Sequence, residues 1–254
     1  MNESKLFHLD FNPSEINAKY AILPGDPGRT AAIADCFGEN RIISCNREYT
    51  VRLAHCLGEE VVICSTGIGG PSSAIAVEEL YLSGVRTFIR IGTCGAMQQD
   101  IKGGDLIVAS AAVRQDGTSL QYAPAEFPAV ANFEVTGALR DAAMESGRKV
   151  YTGVVQSKDS FYGQHSPERM PVAANLQYKW EAWKKLGVLA SEMECAAIYT
   201  VCAALGAAAG CVLHVIWNQE RAAAGLDNPQ DEDTSAAVKA SARAVELLIE
   251  RSRK

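Results

Sequence analysis

A β-strand that runs into a glycine-rich segment most constrains the fold of this chain, at TFIRIGTCGA (Thr87–Ala96). The first residues favour an extended, half-buried backbone, and the chain is expected to leave the strand at Gly92 in a tight loop. Arg90 precedes this break and Thr93 follows it. Ligands of parallel sheets bind at the carboxyl ends of strands, and a guanidinium, a hydroxyl and glycine N–H groups suit an anion. The segment predicts an anion site, with an arginine paired to a surface carboxylate as the alternative.

A second strand followed by a glycine turn lies near the start of the chain. Residues 20–23 form a short apolar strand, PGDPGR follows it, and residues 30–37 have the pattern of a helix. Gly25 permits close approach of a ligand to the backbone, and Arg29 stands at the helix entrance, where the helix dipole favours negative charge. A plain Pro-Gly turn with a solvated arginine is the alternative. Two such turns in one chain favour the anion site.

Several common classes of site are excluded by the sequence. TGIGGPSS has Ser72 where a dinucleotide fingerprint needs its third glycine, and no GxxxxGK[ST] motif occurs. The eight cysteines form no CxxC pair and match no zinc-site spacing. A net charge of −6 does not favour binding to nucleic acid or to an anionic membrane surface.

The polar segment SKDSFYGQHSPERMP is predicted to be a loop at the end of another strand. It carries Phe161, Gln164 and Arg169. An aromatic ring, an amide and a guanidinium would together stack on a heterocycle and read its edge. An ordinary polar loop is the alternative, and the residues of this segment alone favour it.

A pair of carboxylates lies in the segment SEMECAA. Glu192 and Glu194 are too close in sequence to share a helical face, but in an extended segment they point the same way, which suits a sugar diol. The spacing of Ser191 and Glu194 also matches a capping box, in which Glu194 would serve only the start of its own helix. Both interpretations remain open at this level.

Strands alternate with helices along the chain, with no linker and no internal repeat, which predicts one α/β domain over residues 1–254 with a parallel or mixed central sheet. Residues 195–217 carry no Asp, Glu, Lys or Arg. A buried helix followed by a buried strand explains them better than a membrane span. The N-terminus has no apolar signal region, so a cytoplasmic location with reduced thiols is expected.

The motifs PGDPGR, STGIGGPSSAIAVEEL, RIGTCGA, DSFYGQ and SEMECAA occur in this order. Together they resemble the bacterial nucleoside phosphorylases of the trimeric/hexameric class, and within it the uridine phosphorylases most closely. The resemblance runs from about residue 8 to the final helix. It implies a phosphorylase/hydrolase-like three-layer α/β/α sandwich with a central mixed sheet. It also implies reversible phosphorolysis of a nucleoside to a free base and ribose 1-phosphate, in pyrimidine salvage, by a homo-oligomer that is a trimer of dimers.

The resemblance also implies roles for individual residues. Those expected to bind phosphate are Gly25, Arg29, Arg90 and Thr93, with Arg47 from a neighbouring subunit. Those expected to bind ribose are Glu192, Met193 and Glu194, with His8 reaching the 5′-hydroxyl across a subunit interface. Those expected to bind the base are Phe161, Gln164 and Arg169. Catalysis is expected of Arg90, Glu194, Gln164 and Arg169. No organic cofactor is implied, but K⁺ would lie at a subunit interface, held by Glu48, Ile68 and Ser72.

The identity of the base depends on a few positions. Asn218 stands where purine-cleaving relatives carry an acid that protonates N7, and a neutral amide cannot do so. This favours pyrimidines, uridine first and then deoxyuridine or thymidine. Uridine enzymes carry an arginine two residues after the glutamine; this chain has Ser166 there, so Arg169 is expected in that role, with His165 as the alternative. A purine phosphorylase, a nucleosidase that uses water, and a non-catalytic nucleoside-binding protein remain as alternatives.

Overall fold

One mixed sheet joins strands from the whole length of the chain in the computed structural model, which describes residues 5–253. The strands are β1 (Tyr20–Pro24), β2 (Asn40–Asn46), β3 (Tyr49–Cys56), β4 (Glu59–Cys64), β5 (Thr87–Ala96), β6 (Leu106–Gln115), β7 (Ala129–Val130), β8 (Val150–Lys158), β9 (Ala190–Glu192) and β10 (Ala208–Asn218). The helices are α1 (Arg29–Asp35), α2 (Gly70–Leu82), α3 (Ser119–Tyr122), α4 (Phe133–Met144), α5 (Phe161–His165), α6 (Ala173–Lys185), α7 (Cys195–Leu205), α8 (Gln219–Ala223) and α9 (Ser235–Ser252).

Strand β5 is the centre of this sheet. It runs parallel to β1 on one side and to β10 on the other, and its last residues, Gly95 and Ala96, pair antiparallel with β9. Strand β10 also pairs with β6, β6 with β8, and β8 with β9. These strands therefore close into a ring with β5, and β1, β4, β3 and β2 extend from it as an open sheet.

The prediction that the chain leaves the strand at Gly92 was wrong. Strand β5 continues to Ala96, with Gly92 paired to Leu213 and Thr93 paired to His214. Glycine has a low intrinsic preference for strands, but pairing with neighbouring strands overrides that preference. The polar residues of GTCG consequently belong to the sheet itself.

Helices cover both faces of the sheet, which produces the three-layer α/β/α arrangement. Helices α2 and α7 pack on one face, and α1, α4 and α9 pack on the other. Along β5, Phe88 belongs to the first of these cores, whereas Ile89 and Ile91 belong to the second. A strand buried on both faces needs apolar side chains at successive positions, which explains the near-continuous apolar run before the glycines.

The uncharged segment 195–217 forms a buried helix, α7, and most of a buried strand, β10, as predicted. Helix α7 ends at Gly206, whose φ of 71° is in the left-handed region that glycine adopts most readily. Strand β10 then lies between β5 and β6. In the part of the chain that the structure describes, no helix is both long enough and apolar enough to cross a membrane.

The contact between β10 and α4 leads to a test of core packing. A Cβ at Gly210 would lie 2.5 Å from Val135 Cγ1 and 2.9 Å from Leu139 Cδ1, so Gly210→Ala overpacks this contact. We expect the free energy of unfolding in urea to fall by about 1–3 kcal/mol.

Gly137→Ala is the matched control, because the nearest atom to its added Cβ would be Arg251 Nη1 at 3.8 Å, an ordinary contact. This substitution within α4 is expected to raise the free energy of unfolding by roughly 0.5–1 kcal/mol. Equal effects of the two substitutions would contradict the packing described here.

Candidate active site

A cavity of about 970 Å³ opens at the carboxyl ends of the central strands. Its walls come from the turns after β1 and β4, from β5, from the ends of β8, β9 and β10, and from α5. The structure brings most of the sequence-predicted residues together here: Gly25, Arg29, Ile68, Arg90, Thr93, Phe161, Gln164, Glu192, Met193 and Glu194 line the cavity. The two anion turns recognised in the sequence thus face one common space.

A buried ion network forms the floor of the cavity. The Arg90 guanidinium donates from Nε to Glu192 Oε2 at 3.1 Å and from Nη2 to Glu194 Oε2. Both carboxylates and the guanidinium are almost fully buried. Burial disfavours the charge of Arg90, but the two carboxylates outweigh it and raise the pKa of Arg90 well above its ordinary value. Arg90 is therefore a fixed positive charge.

Gly92 makes room for this arginine. A Cβ at position 92 would stand 2.6 Å from Nη2 and 2.8 Å from Cζ of Arg90. Alternate residues of a strand share one face, and the guanidinium extends along β5 over Gly92. Gly92, which the sequence suggested for a turn, instead leaves the space that the Arg90 guanidinium occupies.

The carboxylates of Glu192 and Glu194 have different hydrogen-bond partners besides Arg90. Glu192 accepts the backbone N–H groups of Glu194 and Cys195, at 2.8 Å and 3.0 Å, and thereby caps the start of α7. The capping-box interpretation of Glu194 was wrong, since its side chain makes no capping hydrogen bond. Glu194 instead accepts from Arg90 and from the Gly69 N–H. Burial raises the pKa of Glu194, Arg90 opposes this rise, and Glu192 adds to it.

Arg29 lies beside Arg90 at the anion end of the cavity. It begins α1, directly after the turn that carries Gly25 and Asp26. Burial lowers the pKa of Arg29, Asp26 raises it, and the charge of Arg90 lowers it again. Two neighbouring guanidinium groups repel one another, and an anion between them relieves that repulsion.

Aromatic groups line the opposite end. Segment 161–165, expected to be a loop, is helix α5, and the Ser160 side chain accepts the Gly163 N–H at its start. The ring centroids of Phe161 and His165 are 4.3 Å apart, and those of His165 and Trp217 are 6.4 Å apart. Burial lowers the pKa of His165, and Lys158 lowers it further, so the ring favours its neutral form.

Arg169 does not reach this end of the cavity. It lies in a short 3-10 turn, Pro167–Arg169, and is exposed. The chain leaves α5 at Ser166 (φ −146°, ψ 56°), and Pro167 starts the separate turn that carries Arg169 away from the cavity. His165, the alternative considered from the sequence, does line the cavity.

The residues expected to act across a subunit interface lie elsewhere on the surface of the chain. His8 is bound to α2: its Nδ1 lies 2.7 Å from Glu79 Oε1, and its backbone N–H donates to the same carboxylate. Arg47 is exposed in the turn between β2 and β3, with φ of 54°. Neither lines the cavity of its own chain, and their roles stay predictions.

The residues expected at a K⁺ site converge beside Gly67. A Cβ there would stand 2.9 Å from Glu48 Cγ and 3.6 Å from Ser72 Oγ, and Ser72 Oγ donates to Ile68 O at 3.3 Å. A carboxylate, a hydroxyl and a carbonyl are oxygen donors, which hard cations prefer. Within residues 5–253, no group of three or more His, Cys, Asp or Glu side chains is placed to hold a metal ion.

Sequence reasoning missed Lys158 and Ser191, which also line the cavity. The Lys158 ammonium donates to Ser191 Oγ at 2.8 Å, and Ser191 Oγ donates to Gln164 Oε1 at 2.7 Å. A lysine at the end of a strand, three residues before an aromatic position, was an available signal. This signal did not single out Lys158, because a lysine in a polar segment is ordinarily exposed to solvent.

Asn218, used above to distinguish bases, is a structural residue. Its Nδ2 donates to Gln98 O and Ile101 O at 2.8 Å and 2.7 Å, and its Oδ1 accepts the N–H groups of Glu220 and Arg221. The side chain is fully buried and does not line the cavity. Asn218 therefore offers no group for proton transfer to a ligand.

Comparison with known proteins shows which family the chain is similar to. The family model described as the phosphorylase superfamily matches residues 19–250. A uridine phosphorylase of Treponema pallidum is 48% identical over 243 residues, which cover 96% of this chain and 94% of that protein. A uridine phosphorylase of Escherichia coli is 42% identical over 253 residues, 98% of this chain and 100% of that protein. A guanosine phosphorylase of Halorubrum lacusprofundi is 39% identical over 211 residues, 83% of each chain.

The hydrogen bonds of Asn218 lead to a second test. In Asn218→Asp, a carboxylate oxygen faces two buried carbonyl oxygens, and we expect the free energy of unfolding at pH 7 to fall by about 2–4 kcal/mol. Burial and these carbonyls raise the pKa of the new carboxyl in the folded state, so the loss should shrink as the pH falls and the group is protonated.

Asn175→Asp, at an exposed position near the start of α6, is the matched control and should leave the stability nearly unchanged. Urea unfolding of both variants at pH 7 and pH 5 makes the comparison. A stable Asn218→Asp protein at pH 7 would show that the amide is not held as described.

Proposed function

The chain belongs to the phosphorylase superfamily, and we propose that it is a uridine phosphorylase, a pentosyltransferase that converts uridine and phosphate reversibly to uracil and ribose 1-phosphate. One observation carries this proposal. A single cavity is lined by two guanidinium groups, by a carboxylate bound to one of them, and by an amide with aromatic rings. These three parts match the phosphate, the sugar and the base of the reaction in the order in which they are joined.

Phosphate binds at the guanidinium end. Arg29 and Arg90 supply positive charge, Thr93 supplies a hydroxyl, and Gly25 leaves room for the anion to approach the backbone. Because Arg90 is held by two carboxylates, it cannot swing toward solvent when the cavity is empty. This preorganisation places phosphate beside the sugar for attack on C1′.

The sugar lies over Glu194 and Met193. As the bond from C1′ to the base breaks, positive charge grows on the ribose ring. The bound phosphate and the Glu194 carboxylate supply negative charge next to it. Glu194 is held by Arg90 and by the Gly69 N–H, so it needs no reorganisation during the reaction. No covalent intermediate with the enzyme is required.

The base lies against Gln164, Phe161, His165 and Trp217. The Gln164 amide offers both a donor and an acceptor, which fit the carbonyl and N–H edge of uracil. The aromatic groups stack on or enclose the ring. Position 218 carries no acid that could protonate a purine, and the Asn218 side chain is already hydrogen-bonded to backbone groups. These features support a pyrimidine, with deoxyuridine and thymidine as further substrates.

The assembly, the location and the cation belong to the same proposal. A homo-hexamer would bring His8 and Arg47 of one subunit to the cavity of the next, which suits their places outside the cavity of their own chain. Glu48, Ile68 and Ser72 would hold K⁺ between subunits, where its charge would fix the position of the turn at Gly67. We place the reaction in the cytoplasm, and the free thiols of the cysteines are compatible with a reducing compartment.

The main alternative is a purine nucleoside phosphorylase, and the 39% identity to a guanosine phosphorylase supports it. It would require an acid for purine N7. The residues placed against the base, Phe161, Gln164, His165 and Trp217, include no carboxyl group, and His165 favours its neutral form. A nucleosidase is disfavoured because water needs no pair of guanidinium groups. A non-catalytic binding protein is disfavoured by the preorganised Arg90 and Glu194.

Uridine cleavage with and without phosphate tests the proposal, with inosine and guanosine assayed in parallel. We expect uracil only when phosphate is present and little free purine. Faster release of hypoxanthine or guanine would establish the purine alternative. Release of uracil without phosphate would indicate a nucleosidase, and ligand binding without turnover would indicate a binding protein.

The role of Arg29 has its own prediction. Arg29→Met removes one charge-assisted contact to phosphate but none to the nucleoside, so the KM for phosphate should rise about 10- to 100-fold while the KM for uridine changes little. Steady-state kinetics with each substrate varied separately makes the measurement. Arg140→Met, at an exposed position of α4, is the control and should match the parent.

An equal rise in both KM values would contradict the assignment of Arg29 to phosphate alone. A change confined to uridine would reverse the assignment and move the phosphate to another part of the cavity.

A further inference from the structure

A buried lysine lies at the carboxyl end of β8, and none of the steps above uses it. Lys158 is only 6% exposed and lines the cavity beside Gln164. It also lines an adjoining space of about 440 Å³ between β8, α6 and α8. Burying an ammonium is costly, so its retention within a polar site needs an explanation.

The hydrogen bonds of Lys158 lead toward the base end of the cavity. Its Nζ donates to Ser191 Oγ at 2.8 Å, and Ser191 in turn donates to Gln164 Oε1 at 2.7 Å. Since an ammonium can only donate, the Ser191 hydrogen is directed to Gln164, and the Gln164 oxygen is fixed on that side. Lys158 therefore orients the amide that is proposed to read the base, and its other two N–H groups remain for a ligand.

The distribution of positive charge also singles out Lys158. The lysine and arginine side chains lining the cavity are Arg29, Arg90 and Lys158. The two arginines lie at the phosphate end, and Arg90 is neutralised by its carboxylates. Arg169 is outside the cavity. The departing base, however, takes up negative charge when the glycosidic bond breaks.

We propose that Lys158 is the cation that stabilises the departing base anion, an inference that rests on the proposed phosphorolysis of uridine. A phosphate oxygen supplies the electron pair of the new bond to C1′. The electron pair of the broken C1′–N1 bond leaves with uracil. Lys158 keeps its protons and donates a hydrogen bond to a carbonyl oxygen of the base, where the new negative charge is delocalised.

The charge of Lys158 is sensitive to pH near neutrality. Burial lowers the pKa of Lys158 to about 8, while Glu192 and Glu194 on the β9–α7 segment and the Cys94 thiol on β5 oppose that shift. His165 faces it from α5, and Asp159 follows it in the chain. The ammonium is present at pH 7 and is lost as the pH rises through about 8. Activity that needs the charge should decline over the same range.

Lys158→Met tests this role through the leaving group. At pH 7, we expect kcat for uridine to fall roughly 100-fold. The loss should be several-fold smaller for 5-fluorouridine, because the fluorine withdraws electron density and its base leaves as a more stable anion. Lys185→Met, at an exposed position of α6, is the matched control and should match the parent on both substrates.

A purely structural role for Lys158 predicts another result. If Lys158 only balanced the charge of Glu192 and Glu194, kcat would fall by the same factor on both nucleosides, and that outcome would overturn the proposal. Unchanged kcat on uridine would overturn it as well. If the parent protein does not release uracil with phosphate, the proposed function itself fails, which is a separate result.

A second variant keeps the proposal testable if Lys158→Met does not fold. The parent should lose kcat/KM for uridine above about pH 8. In Lys158→Arg, a guanidinium stays protonated throughout, so this decline should move to higher pH. A decline at the same pH in both proteins would exclude Lys158 as its source and overturn the proposal.

Discussion

The buried contact of Arg90 with Glu192 and Glu194 is the interaction on which the site depends. It joins the middle of β5 to the start of α7 and, through Glu194, to the turn before α2. Buried charges are tolerated only when each has good partners, and removal of one partner leaves another uncompensated. The proposed phosphate end, the carboxylate proposed to face the sugar and the start of a core helix are therefore held by one network.

The topology of the sheet explains how this network forms. Strand β5 pairs with β1, β9 and β10, so three separate parts of the chain are joined to the strand that carries Arg90. Gly92 leaves the space for the guanidinium, and the two carboxylates come from the end of β9 and the start of α7. A closed ring of strands is rigid, which allows a charged site to be preorganised before any ligand binds.

The base end is organised differently. Its groups come from the short helix α5 and from the ends of β8, β9 and β10, and neutral contacts predominate. Asn218, whose neutral amide the sequence analysis used to favour pyrimidines, supports the backbone. Lys158 and Ser191 take part through a chain of hydrogen bonds that ends at Gln164. The proposed recognition of the base thus depends on the orientation of one amide.

The α/β class, the order of most elements and the cluster of residues at the strand ends could be predicted from the sequence, because hydrophobic periodicity and glycine motifs are local signals. Local signals did not reveal three features that depend on the tertiary structure. Pairing on both sides kept Gly92 in a strand, a separate turn moved Arg169 out of the cavity, and burial made Lys158 part of the site. Strand partners, chain direction after a turn and burial all depend on residues distant in sequence, and only the folded chain brings these together.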